Sequence, residues 1–156
     1  MVKLKRYHYT ECGLDNVYLI GGFAYIDTPR GRAVQIKDID GLHRAIGRTL
    51  VREKKDLNGR EFRFLRHELN MTQQSLALLL GVDAQTVARW EKGRSQITGP
   101  AQALIRLLYE EHTQGTRKII EPLRRLAELD EVNDRGDEPV EFEATEKGWH
   151  PSLAAA

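Results

Sequence analysis

One stretch constrains this chain more than any other: FRFLRHELNMTQQSLALLLGVDAQTVARWEKG, residues 62–93. Phe62, Leu65 and Leu69 fall on one face of a first predicted helix. Leu76, Ala77 and Leu80 form the inner face of a second, very short one, and Ala77 is small enough to let another helix approach closely. Gly81 stands where a chain leaving a helix needs positive φ. Val82, Val87 and Trp90 then face inward from a third helix. Two short helices joined by a tight glycine turn, with a small residue at their crossing, predict a helix-turn-helix.

The third helix leaves Ala84, Gln85, Thr86, Arg89 and Lys92 on its outer face, with no acidic group beyond the capping Asp83. That face holds donors suited to base edges and phosphates. Glutamine pairs in bidentate fashion with adenine N6 and N7, and arginine does the same with guanine O6 and N7. Gln85 and Arg89 are one helical turn apart, so both can enter one major groove.

The segment closely resembles the Cro/cI-type (XRE) helix-turn-helix regulators, through Arg66, Leu69, Thr72-Gln73, Leu76-Ala77, Gly81-Val82, Val87 and Trp90-Glu91-Lys92-Gly93. The resemblance covers about a third of the chain, from Arg60 to roughly Thr113. It implies that Gln73, at a helix start, binds phosphate with help from backbone N–H groups and the helix dipole. It implies that Gln85, Thr86 and Arg89 read bases, and that Lys92 and Arg94 hold the opposite phosphate flank. It assigns Arg66 and Glu91 to an internal ion pair. A β-rich piece ahead of such a domain is also similar to MqsA-like antitoxins. Those carry zinc on paired cysteines, whereas only Cys12 is present here, so a zinc-free N-terminal part is expected.

Around this segment the pattern predicts a mostly α chain with a small β-rich N-terminal part. The expected architecture is a Cro/cI-like helix-turn-helix bundle of about five helices, preceded by an antiparallel meander and one helix. Residues 16–20 and 23–26 flank Gly21-Gly22 and read as a hairpin, Thr28-Pro29-Arg30-Gly31 as a turn, and Ala33 to Lys37 as a third strand. Leu42, Ile46 and Leu50 mark an amphipathic helix capped by Asp38 or Asp40, with Arg44, Arg48 and Arg52 as a basic face that is either solvated or an auxiliary phosphate contact. Leu57-Asn58-Gly59 reads as a linker. Thr72 and Asp83 are good N-caps, and Pro100 suits a first turn. The last helical run, Arg117 to Glu131, either kinks at Pro122 or begins near Glu121. Residues 134–139 read as a disordered linker, and Val140 to Glu143 as a short strand with Trp149 as its anchor. Three regions follow: 1–57, a candidate partner-binding region; 58–133, the DNA-binding domain; and 134–156, an acidic flexible tail.

Charge follows the same division. Residues 1–60 carry 12 Lys+Arg against 7 Asp+Glu, 61–126 carry 10 against 7, and 127–156 carry 2 against 9. A basic body fits double-stranded DNA, and an acidic tail fits a basic partner such as a cognate toxin or the body itself. Homodimerisation is expected through Ala103, Leu104, Leu107 and Leu108 and the Ile119, Leu123, Leu126 stripe. No apolar run approaches the roughly 20 residues of a membrane helix, and Met1 to Arg6 shows no apolar signal core, so a cytoplasmic protein without membrane partners is expected. His8 and Cys12 lack a second pair of ligands nearby, so no metal or other cofactor is expected. With no glycine-rich phosphate loop, no nucleophile elbow and no paired carboxylates in an apolar setting, no enzymatic activity is expected either.

Overall fold

The computed structural model describes residues 5–129, 134 and 136–152. Four strands come first: β1 (Arg6–His8), β2 (Tyr18–Ile20), β3 (Phe23–Thr28) and β4 (Gly31–Ile36). Six helices follow: α1 (Ile39–Glu53), α2 (Gly59–Glu68), α3 (Gln73–Leu80), α4 (Ala84–Glu91), α5 (Gly99–Gln114) and α6 (Ile120–Glu128). The chain closes with β5 (Phe142–Thr145) and β6 (Gly148–Pro151). Part of the linker expected at 134–139 and the terminal alanines lie outside the described residues. No described helix is long and apolar enough to cross a membrane.

The N-terminal strands correct the expected meander. β1 pairs antiparallel with β2, and β3 with β4, as two separate ribbons; β2 and β3 are not partners. Gly21 and Gly22 do adopt positive φ, at 74° and 71°, but they join the ribbons instead of closing a hairpin. A two-residue turn there would set Ile20 opposite Phe23 and leave Leu19 on the face opposite Phe23 and Tyr25. With the break, Leu19 is buried and Phe23 half-buried, while Tyr25 remains 45% exposed. Leu19 is buried opposite Tyr7, and the Tyr7 ring meets those of Phe23 and Tyr25 at centroid distances of 5.4 and 6.4 Å. The turn at Thr28–Gly31 forms as read, with the Thr28 hydroxyl accepting from Arg30 N–H.

The helices form where their caps stand. Asp38 caps α1 through Gly41 N–H. Asn58 and Glu61 make a reciprocal capping box at α2, and Thr72, Asp83 and Thr98 cap α3, α4 and α5. α6 begins at Ile120, so Pro122 sits in its first turn, where its missing N–H leaves no intrahelical bond unmade. α6 has no side-chain cap of its own; Glu111 of α5 supplies one, accepting from the N–H of Ile119 and Ile120 at 2.7 and 2.9 Å.

A continuous core runs from Leu14 and Leu50 through Phe62, Leu65, Leu76, Val87 and Trp90 to Ile105 and Tyr109. α1 therefore packs on the helical bundle rather than apart from it. Close approach is built in at Gly47, where a Cβ would stand 2.0 Å from the Tyr109 hydroxyl. The Leu57-Asn58-Gly59 break is pinned rather than loose: Leu57 is buried, its N–H donates to the Gln102 side chain at 2.9 Å, and Gly59 lies against the Trp90 carbonyl. Arg52 forms a bidentate pair with Glu110, which gives one member of the expected basic face a structural partner.

Two further expectations change. Leu108, expected at a dimer surface, is 2% exposed and belongs to the core. Trp149 is 72% exposed and anchors nothing: β5 and β6 pair with each other alone, and every residue in them is exposed.

Candidate nucleic-acid interface

The interface is built by two short helices whose inner faces fix their outer ones. Leu76 and Ala77 of α3, and Val87 and Trp90 of α4, are buried, and the Trp90 ring meets Phe62 edge-on at 5.7 Å. Gly81, with φ 69°, makes the turn between α3 and α4, and its N–H and that of Val82 return to α3 carbonyls. Burying Val87 and Trp90 turns Gln85 and Arg89 outward, and both are exposed. Ala84 is only half-buried and packs against the core, so it belongs less to the outer face than the spacing predicts.

Two hydrogen-bonded networks hold the polar groups. In the first, the Asp83 carboxylate accepts from the Thr86 backbone N–H (2.7 Å) and hydroxyl (2.8 Å), and Thr86 Oγ1 accepts from Arg89 at 3.2 Å. The Thr86 hydroxyl bond, then its backbone N–H, pulls the Asp83 carboxyl below its ordinary value. The Thr86 hydroxyl is thereby engaged both as donor and as acceptor within the protein. The same chain orients Arg89 along the helix surface.

In the second network, Arg66 grips Glu91 with two bonds of 2.5 and 3.1 Å, and its remaining nitrogen donates to the Met71 carbonyl at 2.8 Å. Both side chains are almost fully buried, at 8% and 4% exposure. Glu91 also accepts from Gln73 Nε2 at 2.8 Å. That fixes the Gln73 amide at the start of α3 while leaving its second N–H for another acceptor. A buried ion pair thus sets the position of a surface donor, a link the sequence reading did not anticipate.

Lys92 and Arg94 follow α4 and are exposed. Gly93, at φ 70°, closes the helix between them. The bond to Glu91 puts the Gln73 amide beside the end of α4 that Lys92 and Arg94 follow, so the opposite flank expected for Lys92 and Arg94 is not what the fold places there. His8 and Cys12 are engaged locally instead: His8 Nε2 bonds the Asp15 carbonyl at 2.7 Å, and Cys12 Sγ donates to the Tyr9 carbonyl. Among the described residues no three His, Cys, Asp or Glu side chains converge as a metal site would require.

A helix-turn-helix family model matches residues 62–101. This segment is a DNA-binding helix-turn-helix domain of the Cro/cI type. The match opens at Phe62 in α2 and ends in the first turn of α5, so the domain takes in both networks and every residue of the α4 outer face. No curated protein and no solved structure matched the chain.

Proposed function

We propose that the chain is a sequence-specific transcriptional repressor that binds an inverted-repeat operator as a homodimer. The observation that carries this reading is the exposure of Gln85 and Arg89, one turn apart on a helix whose other face is locked into the core. Gln73, Lys92 and Arg94, gathered near the end of that helix, then grip the phosphates. One recognition helix reads only a few base pairs, and two-fold pairing sets two of them about 34 Å apart along the duplex. The exposed Leu107 and Leu126, together with the half-buried Leu104, Ile119 and Leu123, supply apolar surface for that pairing.

The test is a salt titration of duplex binding. Lys92 and Arg94 give four cations per dimer, so log K against log [salt] should fall with a slope of about −3.6 from these residues alone. Arg89→Ala should weaken operator binding by about 1–3 kcal/mol and relax specificity at one position, with little effect on scrambled duplex. Gln73→Ala should weaken both about equally. Equal losses on both duplexes for Arg89→Ala would contradict base reading.

A second reading, an antitoxin that also autoregulates its operon, is favoured by the β5–β6 hairpin. Its register puts Phe142, Ala144, Trp149 and Pro151 on one face, and that face is open, with Phe142 57% exposed. An isolated two-stranded hairpin is marginal in water, so an apolar face of this kind calls for a covering partner. Glu141, Glu143 and Glu146 make that partner basic. Stoichiometric co-purification with a small basic protein encoded beside this gene, lost in Trp149→Ala, is the expected result; a lone chain from the intact operon would exclude this reading.

A further inference from the structure

Between the Glu11–Gly13 turn of the N-terminal segment and the outer face of α2 lies a cleft of about 700 Å³. That volume falls within the range of small-molecule sites. Its walls carry Arg60 and Arg63 of α2 and Lys92 at the end of α4, together with three carboxylates, Glu11, Glu68 and Glu91.

Each carboxylate is hydrogen-bonded to a partner of its own. Glu11 accepts from the Tyr7 hydroxyl, Glu68 meets His43 Nδ1 at 3.0 Å, and Glu91 holds Arg66 and Gln73. The cations are not engaged to the same degree. Arg60 reaches only Asp15, at 3.4 Å and with both side chains largely exposed. Arg63 donates to His67 Nε2 at 3.4 Å, a neutral acceptor. Among the described residues, neither Arg63 nor Lys92 has a carboxylate within salt-bridge distance. Loss of surrounding water, and next the Arg66 and Arg63 charges, hold the His67 imidazole below its ordinary value.

We propose that this cleft is a phosphate-binding site, with Arg63 and Lys92 holding the phosphate group and Arg60 at its rim. A concave wall of guanidinium and ammonium donors, two of them without a counter-ion, matches a multiply charged tetrahedral anion. The group belongs either to a phosphorylated small molecule or to a backbone phosphate of bound duplex, and the two sources separate by experiment. A small molecule would bridge the N-terminal segment to the end of α4 and occupy Lys92. It would then oppose operator binding, a consequence that rests on the repressor reading, whereas the site itself does not.

The probe is inorganic tripolyphosphate at fixed ionic strength, followed by calorimetry on the full chain, with Arg63→Gln as the test variant and Arg94→Gln as a cationic control outside the cleft. Both residues are exposed, so thermal melts without ligand should match the wild type. Saturable binding that weakens about tenfold or more in Arg63→Gln, the worth of one charge-assisted hydrogen bond, and stays unchanged in Arg94→Gln assigns the site to a free phosphorylated ligand. No tripolyphosphate binding, with the salt slope for duplex reduced by about 1.8 in Arg63→Gln (two residues per dimer), assigns it to the DNA backbone. Equal weakening of tripolyphosphate binding in both variants, or no change in either measurement for Arg63→Gln, overturns the proposal. If the wild type bound no duplex at all, the repressor reading would fail, and the tripolyphosphate result would still decide the cleft.

Discussion

Replacing Glu91 by alanine should destabilise the chain more than any surface change, because the carboxylate is the acceptor for a guanidinium that has almost no water. Arg66 and Glu91 are 8% and 4% exposed and share two hydrogen bonds. Without Glu91, Arg66 keeps the Met71 carbonyl and a long contact of 3.4 Å to His67 Nε2, and its charge is stranded inside without a carboxylate. Breaking a buried pair from one side costs about 3–5 kcal/mol, a large share of the roughly 5–15 kcal/mol that holds a typical domain folded. At about 2–4 °C per kcal/mol for a chain of this size, the melting temperature should drop by roughly 6–20 °C. Urea unfolding followed by far-ultraviolet circular dichroism, read at constant m-value, gives the free energy directly. The Arg66→Met, Glu91→Leu double variant removes both charges and should recover most of the loss. A loss below about 1 kcal/mol for Glu91→Ala, or a double variant no more stable than the single one, would refute the idea that the stranded charge sets the cost.

Gly47→Ala drives a methyl group into the Tyr109 ring, 1% exposed and rigid, and should cost about 1–3 kcal/mol in urea unfolding while leaving the α4 outer face untouched. Acid should release α6. Burial acts to raise the Glu111 carboxyl, but the N–H groups of Ile119, Ile120 and Lys118 outweigh it and leave the carboxyl below its ordinary 4.5. A depressed folded value means the cap is fully present above the unfolded value and lost as pH falls through the folded one. Amide exchange at Ile120 should therefore accelerate below about pH 4.5, and in Glu111→Ala it should be fast at neutral pH as well. Deleting residues 134–156 should leave the melting temperature nearly unchanged, since every residue of β5 and β6 is exposed. It should also raise affinity for duplex by removing six acidic residues against two basic ones. Unchanged affinity would exclude a tail that folds over the basic face.

The helix-turn-helix was legible because its determinants are local. Thr72, Gly81 and Asp83 punctuate α3 and α4 by side-chain and backbone chemistry that needs no distant partner. The outer face of α4 followed by subtraction once Val87 and Trp90 were assigned inward. The N-terminal strands were harder. Both glycines satisfy a primed turn; what stands in place of the hairpin is Tyr7, paired with the buried Leu19 and in ring contact with Phe23 and Tyr25, and those contacts are tertiary. Trp149 was misread for a related reason, because a large aromatic residue predicts burial only where something exists to bury it. Glu111 caps a helix eight residues away along the chain, a pairing that composition does not signal. The cleft had a visible trace in the spacing of Arg60, Arg63 and His67 along one face of α2. What gives that face meaning is the Glu11–Gly13 turn brought opposite it, held by the Tyr9 hydroxyl on His43 at 2.8 Å and His43 on Glu68.

Selection of bound duplexes from a random pool, with the full chain at low and moderate salt, tests the central claim most directly. An enriched inverted repeat is expected, with half-site centres about 10 base pairs apart and one position per half-site that turns degenerate in Arg89→Ala. A pool that stays random, or a motif that Arg89→Ala leaves intact, would show that the outer face of α4 does not read DNA.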